Sequence, residues 1–137
     1  MAISNGLNPE LEGVNFEAQQ LLADDSQSNT NSVTAGVKSV KVEGVVNDAN
    51  DFIVLPSLAS VKDGHTITVL CSAGSNFEVR TPATSAEEIN SEDCDGTKEL
   101  LATDTTILFI TKINDTIGWM SEVRTAIGAY GTAVVPD

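Results

Sequence analysis

Aromatic residues make up only 4% of this sequence, with a single Trp and a single Tyr among them. Val, Ile, Leu, Ala and Thr therefore have to fill the interior, and side chains of that size suit thin sheets. Positive charge is scarce as well: seven Lys and Arg stand against twenty Asp and Glu, for a formal net charge of −13. Neutralising phosphates takes clustered Lys and Arg, so neither nucleic acid nor an anionic membrane surface is an expected partner. No apolar run approaches the roughly 18 residues of a spanning helix, and Met1-Ala2-Ile3-Ser4-Asn5 has neither the basic region nor the apolar stretch of an export signal. The expectation is a soluble chain made in the cytoplasm, with Cys71 and Cys94 as two reduced thiols. His65 is the only histidine, which excludes a His-based metal cluster.

What is present is period-two alternation over most of 137 residues, one domain's worth of chain. The stretch Phe52 to Leu70 organises the rest. The run Phe52-Ile53-Val54-Leu55 stops at Pro56, Asp63-Gly64 supplies a turn, and His65 to Leu70 alternates cleanly. That pattern predicts two strands of one sheet. In the second, Ile67, Val69 and Cys71 share a buried face while Thr66, Thr68 and Leu70 share a wetter one. Val40 and Val42 mark an earlier strand, and Phe77 to Arg80 returns after a hairpin loop at 72–76. An acidic segment, 83–99, follows. Thr105 to Thr111 is apolar on both faces, predicting burial on both, and Asn114 to Gly118 turns into Trp119 to Val123 as a hairpin. The small, Gly-punctuated stretch 126–135 reads as a last edge strand or a tail packing on a neighbour. Six or seven short strands without a long helical pattern give an all-β fold, an antiparallel β-sandwich or small β-barrel of tulip-like form.

Residues 1–32 read as an N-terminal arm and polar linker, leaving 33–137 as the β domain. The arm has no Lys or Arg, and Asp24 to Ser32 is a polar tract of linker composition. Asn8-Pro9-Glu10 suits a helix start. Leu11, Val14, Phe16, Ala18, Leu21 and Leu22 form an imperfect helical stripe broken by Gly13, predicting a short helix between Asn15 and Ala23. Such a stripe either folds back on its own domain or docks on a neighbouring chain.

Candidate chemistry is thin. Asp93, Asp95 and Gly96 match positions 3, 5 and 6 of a calcium loop, but Ser91 and Ala102 fall at positions 1 and 12, where carboxylates are needed. Glu87-Glu88 reads as a solvated pair rather than an acid and a base. Neither cysteine has an apparent partner for nucleophilic catalysis. Asn114-Asp115-Thr116 has the form of a glycosylation sequon and, without export, reads as turn chemistry. Trp119 suits a core or subunit contact better than a sugar platform. No enzyme activity, metal or cofactor is expected.

A strand ending in Leu55-Pro56, then Asp63-Gly64-His65-Thr66-Ile67-Thr68-Val69, a loop with Gly74-Ser75-Asn76, Ile89-Asn90, a Thr-rich apolar strand and the turn Asn114-Asp115-Thr116-Ile117-Gly118-Trp119 together resemble the small β domains of tailed-bacteriophage virion proteins. Those are capsid decoration (cement) and head fibre proteins. The resemblance spans residues 33 to 123 and departs from the pattern in segment 83–99 and in the Cys pair. It implies a homotrimer on the outer surface of the head, made in the host cytoplasm, that binds the major capsid protein and stabilises contacts between its subunits. Under it, Leu11, Val14, Phe16, Leu21 and Leu22 are candidate capsid contacts, and Ile107, Phe109 and Trp119 candidate trimer contacts or core. The alternative it leaves open is a head or tail fibre domain that binds a receptor or carbohydrate.

Overall fold

A computed structural model describes residues 18–43, 47–71, 76–95, 100–103 and 106–125. The strands are β1 (Ala18–Leu22), β2 (Ser39–Glu43), β3 (Asn47–Val54), β4 (Thr66–Cys71), β5 (Asn76–Arg80), β6 (Glu88–Ile89), β7 (Glu92–Asp93), β8 (Leu100–Thr103), β9 (Thr106–Asn114) and β10 (Gly118–Thr125). The other regular element is one turn of 3-10 helix, Leu58–Ser60. The all-β class stands, with strands in two sheets: seven in the order β1-β2-β4-β9-β10-β6-β7, and three in the order β3-β5-β8.

Alternation decides which side chains meet between the sheets. Val40, Val42, Ile67, Val69, Leu108, Ile110, Val123 and Ile89 point inward from the larger sheet, and Ile53, Phe77, Val79, Leu100 and Ala102 from the smaller, into one hydrophobic cluster. Trp119 sits in that cluster fully buried and supplies its largest side chain. In β4 the expected division holds: Ile67 and Val69 have no exposure, and Thr66, Thr68 and Leu70 are half-buried on the other side. The Trp119 hairpin also forms as expected, β9 against β10 antiparallel.

Pairing is where the structure departs from expectation. Phe52 to Leu55 and His65 to Leu70 do not share a sheet: β3 lies in the smaller and β4 in the larger. Nor do β4 and β5 form a hairpin, since β4 pairs with β2 and β9 while β5 pairs with β3 and β8. The chain crosses between layers at each step from β2 to β5, so strands two apart in sequence become neighbours running the same way. The result is a mixed rather than antiparallel fold, with β1–β2, β2–β4, β3–β5 and β10–β6 parallel. Parallel neighbours need long crossovers: 23–38 links β1 to β2, and the route from β2 to β4 passes through β3 in the other sheet.

The helix expected between Asn15 and Ala23 is instead strand β1, from Ala18. Its register with β2 runs from Ala18–Ser39 to Leu22–Glu43, so Leu21 points inward with 2% exposure and Leu22 outward with 52%. The sheet edge of β2 offers backbone partners to the whole segment, which outweighs a broken helical stripe. The polar tract is also no free linker. Asp24 and Phe52 exchange backbone hydrogen bonds, Val54 N–H donates to Asn31 O, and Val33 N–H donates to Val54 O, which clips residues 24–33 to the edge of β3. Asn31 is fully buried: its Nδ2 donates to Ser26 O and Phe52 O, both at 3.0 Å, and its Oδ1 accepts Ser28 N–H at 2.8 Å. A division after residue 32 thus cuts through bonded structure. Residues 1–17, with Leu11, Val14 and Phe16, and the stretch 126–137 lie outside the described residues.

The acidic segment is held just as firmly. Asn90 and Ser91, at φ 55° and 70°, are the two left-handed residues of a tight hairpin between β6 and β7, as a type I′ turn requires. Asn90 also accepts Ser121 N–H through Oδ1 and donates from Nδ2 to Ser121 Oγ, both at 2.8 Å, fastening the hairpin to β10. Gly118 (φ +82°) permits that approach: a Cβ there would lie 2.6 Å from the Glu88 carbonyl oxygen.

Two outcomes follow from this packing. Asn31→Ala should lower the unfolding free energy by about 2 to 3 kcal/mol, because buried backbone partners lose their bonds. Asn31→Asp should cost more, since it turns an acceptor toward two carbonyls, and urea denaturation of both variants orders them. Cys71 and Cys94 are not joined in a disulfide; the first is half-buried and the second fully buried. An alkylating reagent applied to native protein should therefore modify Cys71 well before Cys94, with both reacting in urea; mass spectrometry of the peptides reads the order.

Candidate functional site

Two regions bring functional-type side chains together. The first lies at the end of the sandwich, where β9 carries Lys112 on its inward face, in phase with Leu108 and Ile110. Lys112 is only 3% exposed. Its Nζ donates to Leu58 O at 2.7 Å and Val61 O at 2.9 Å, and is paired with Asp115 Oδ1 at 2.6 Å and Asp63 Oδ1 at 3.3 Å. The hydrogen bond from Lys112 to Asp115 outweighs desolvation and, with Asp63, holds the ammonium above its usual 10.5. An amine kept protonated this firmly is no nucleophile. On the other side of the helical turn both oxygens of Glu87 accept Leu58 N–H at 3.2 Å. Burial is the main cause that pushes Glu87 above its usual 4.5; the Leu58 hydrogen bond and Lys112 oppose it. Glu87 is thus partly buried and bonded, where the sequence suggested a solvated side chain.

Beside this cluster lies a cleft of about 380 Å³, whose walls include Leu58, Ser85, Glu87, Asp115 and Thr116. Glu87 N–H donates to Ser85 Oγ, and Asn114 Oδ1 accepts Thr116 and Ile117 N–H as an Asx turn, which is the turn chemistry expected for that triplet. Asp93 and Asp95 lie in and just after β7, and Asp95 Oδ2 accepts Ala86 N–H at 3.4 Å. Among the described residues no three His, Cys, Asp or Glu side chains are grouped to hold a metal. His65 stands just before β4, its Nε2 within 2.9 Å of Val37 O.

The second region is the outer face of the seven-stranded sheet. The strand registers set three rows across it: Gln20, Lys41, Leu70, Ile107 and Arg124; Ala18, Ser39, Thr68, Phe109 and Glu122; and Thr66, Thr111 and Met120. Ile107 and Phe109 were expected to be buried on both faces of their strand; they are half-buried here, with Leu70 beside Ile107 and exposed Met120 one row further on. Thr66 and Thr111 share a hydroxyl hydrogen bond at 2.7 Å. A hollow of about 300 Å³ opens toward the β1 side, lined by Ala18, Gln20, Ser39, Lys41 and Leu70. Outward charges on β1, β2, β4, β9 and β10 are Lys41, Glu43, Glu122 and Arg124, which balance on those five strands, while β6 and β7 add acidic side chains at the far end of the sheet.

The structure therefore separates the residues that the sequence singled out. Leu21 and Trp119 are core, which removes Leu21 as a capsid contact and Trp119 as a sugar platform or subunit contact. Leu22, Ile107 and Phe109 face outward from the larger sheet. Comparisons with family models, curated proteins and solved structures find no match.

The charged cluster predicts opposite-looking pH effects of one sign. Lys112 contributes stability that is fully present below 10.5 and lost as pH rises through its raised value. Lys112→Met should lower the melting temperature at neutral pH and flatten the alkaline descent relative to the unmodified chain. Protonated Glu87 adds stability that is present below 4.5 and lost as pH rises through its own raised value, so Glu87→Gln should remove that part of the slope. Melting curves across pH read both.

Proposed function

We propose that this chain is a capsid decoration protein of a tailed bacteriophage, a homotrimer on the outer surface of the head that binds the major capsid protein and acts through binding rather than catalysis. The observation that supports it most is the outer sheet face, where half-buried Leu70, Ile107 and Phe109 lie near exposed Met120 on an otherwise strongly acidic molecule. Apolar side chains gathered on one face of a charged molecule are consistent with an association site. The sequence resemblance supplies the phage and the shell. Trp119, the single Trp of the chain, is fully buried, which weakens the alternative of a carbohydrate-binding fibre domain.

In this reading the shell contact falls to residues 1–17, with Leu11, Val14 and Phe16 as anchors. Each such side chain contributes roughly 1.5 to 3 kcal/mol on burial, offset by about 1 to 2 kcal/mol for every residue ordered. One arm is a modest binder. Three on one trimer gain by linkage, by about two to four orders of magnitude where the spacing fits.

Sedimentation with undecorated capsids tests this. The full chain should pellet with shells, a chain lacking residues 1–17 should stay folded in the supernatant, and Phe16→Ala should weaken binding by about tenfold or more. A truncated chain that pellets as well as the full one rules out the arm as anchor. A full chain that ignores shells but binds a glycan array points to the receptor reading instead.

A further inference from the structure

We infer that residues 1–17 lie back across the outer face of their own seven-stranded sheet in the free chain, with Phe16 in the hollow beside Ala18 and with Leu11 and Val14 following toward Phe109. This goes beyond the shell reading and does not rest on it. The same apolar side chains have a seat on their own domain, and where the shell reading holds they leave that seat for the head and open the face as they go.

Three observations point to this occupant. The first is where the described chain begins. Ala18, the first residue of β1, lines the hollow together with Ser39, Lys41 and Leu70, so the residues before it start at the rim. β1, β2, β4 and β9 are successive neighbours, which places β9 roughly 14 Å from β1, well within the reach of about 55 Å that seventeen extended residues have. The second is parity and size. Ala18 and Gln20 face outward and Leu21 inward. Phe16 is in phase with Ala18, so a chain continuing the line of β1 turns its ring to the outer face. The floor there is made of small side chains, since Ala18 and Ser39 are register partners, and they leave a recess of about 300 Å³. Leu70 walls that recess, and its register partner Ile107 and then Phe109 carry the apolar surface on toward β9. All three are half-buried, so the seat is shallow and suits a segment with several modest apolar side chains. Gly13 lets the chain turn so that Leu11 and Val14 reach it.

The third is charge. Residues 1–17 hold Glu10, Glu12 and Glu17 and no Lys or Arg. Lys41, with 57% of its side chain exposed, lines the hollow, and exposed Lys38 stands just before β2. Acids of the sheet lie away from that corner. Glu43, 3.5 Å from Lys41, is at the opposite end of β2 from Ser39, Glu122 is on β10, and the acidic strands β6 and β7 are at the far end of the sheet. An acidic arm is thus drawn over β1, β2 and β4 and repelled from the β10 side.

The test is methyl NMR on the full chain. Phe16→Ala should remove a ring current and shift the methyl signals of Leu70 and Ile107 on the outer face, while those of Ile67 and Val69 on the inner face hold still and report an intact fold in the same spectra. Nuclear Overhauser contacts should join the Phe16 ring to Ala18 and Leu70, and Lys41→Glu should lower the seated population of the arm by about tenfold or more. Outer-face methyls that ignore Phe16→Ala overturn the inference, as does an arm whose contacts are indifferent to Lys41→Glu. A sample mixed from differently labelled copies, with contacts found only between copies, overturns it too. Capsid sedimentation on the same proteins separates the two readings: a seated arm without shell binding upholds the inference and rejects decoration, whereas shell binding by a chain whose arm never touches the face does the reverse.

Discussion

One buried ammonium holds the end of this sandwich together. Lys112 belongs to β9, yet its bonds run to Leu58, Val61, Asp63 and Asp115, so it ties the crossover between the sheets and the β9–β10 turn to the centre of the larger sheet. Glu87 reaches the same turn from the acidic segment. Three stretches of the chain, 58–63, Glu87 and 112–115, meet at one short helical turn, whose Leu58 N–H is held by a carboxylate and whose Leu58 and Val61 carbonyls are held by an ammonium. A lysine taken out of water needs all its protons accepted, and here oxygen acceptors surround it. The same bonds that satisfy it fix the path of residues 55–65, which deliver β4 to the opposite layer from β3.

That path marks the limit of what sequence patterning reveals. Alternation is local: Ile67 and Val69 against Thr68, or Leu108 and Ile110 against Phe109, follow from the two-residue period alone, and so does the turn at Asn114. Strand partners are not local. Phe52 to Leu55 is an unbroken apolar run, which carries no parity to say which sheet it joins, and a crossover through Pro56 looks like a hairpin connection until the second layer is known. Parity did hold a clue to Lys112, which continues the inward phase of Leu108 and Ile110 and so had to be buried and paired.

Polar composition misleads for a related reason. Asp24 to Ser32 has the residues of a linker because Ser and Asn side chains bond to nearby backbone, and those same bonds can build a fixed loop. Ser28 Oγ, Ser32 Oγ and Asn31 all bond within the segment, and the Asn31 amide then reaches Phe52 in β3. The difference between solvated linker and structural loop lies in whether a distant strand presents carbonyls to the amide, which composition does not record. The candidate site divides the same way. Leu21 and Leu22 are equivalent as letters in an apolar stripe, and become core and surface only once β1 aligns with β2.

The outer face gains its significance from what closes the edges. The free side of β1 is occupied by the returning chain: Leu22 N–H donates to Thr30 O, and the Gln19 amide bridges Ser32 O and Thr34 N–H. The edge of β3 is covered by residues 24–33, and at the far end of the larger sheet β7 is two residues long and acidic. Edges managed in this way resist strand addition, the commonest route by which sheets associate without control. If the chain associates as proposed, contact would fall to a face, where it depends on side-chain fit rather than on backbone pairing that any strand could supply. Under the proposed function, a face that carries half-buried Leu70, Ile107 and Phe109 on a chain otherwise crowded with carboxylates would meet both demands of assembly, repelling partners in most orientations and accepting them in one.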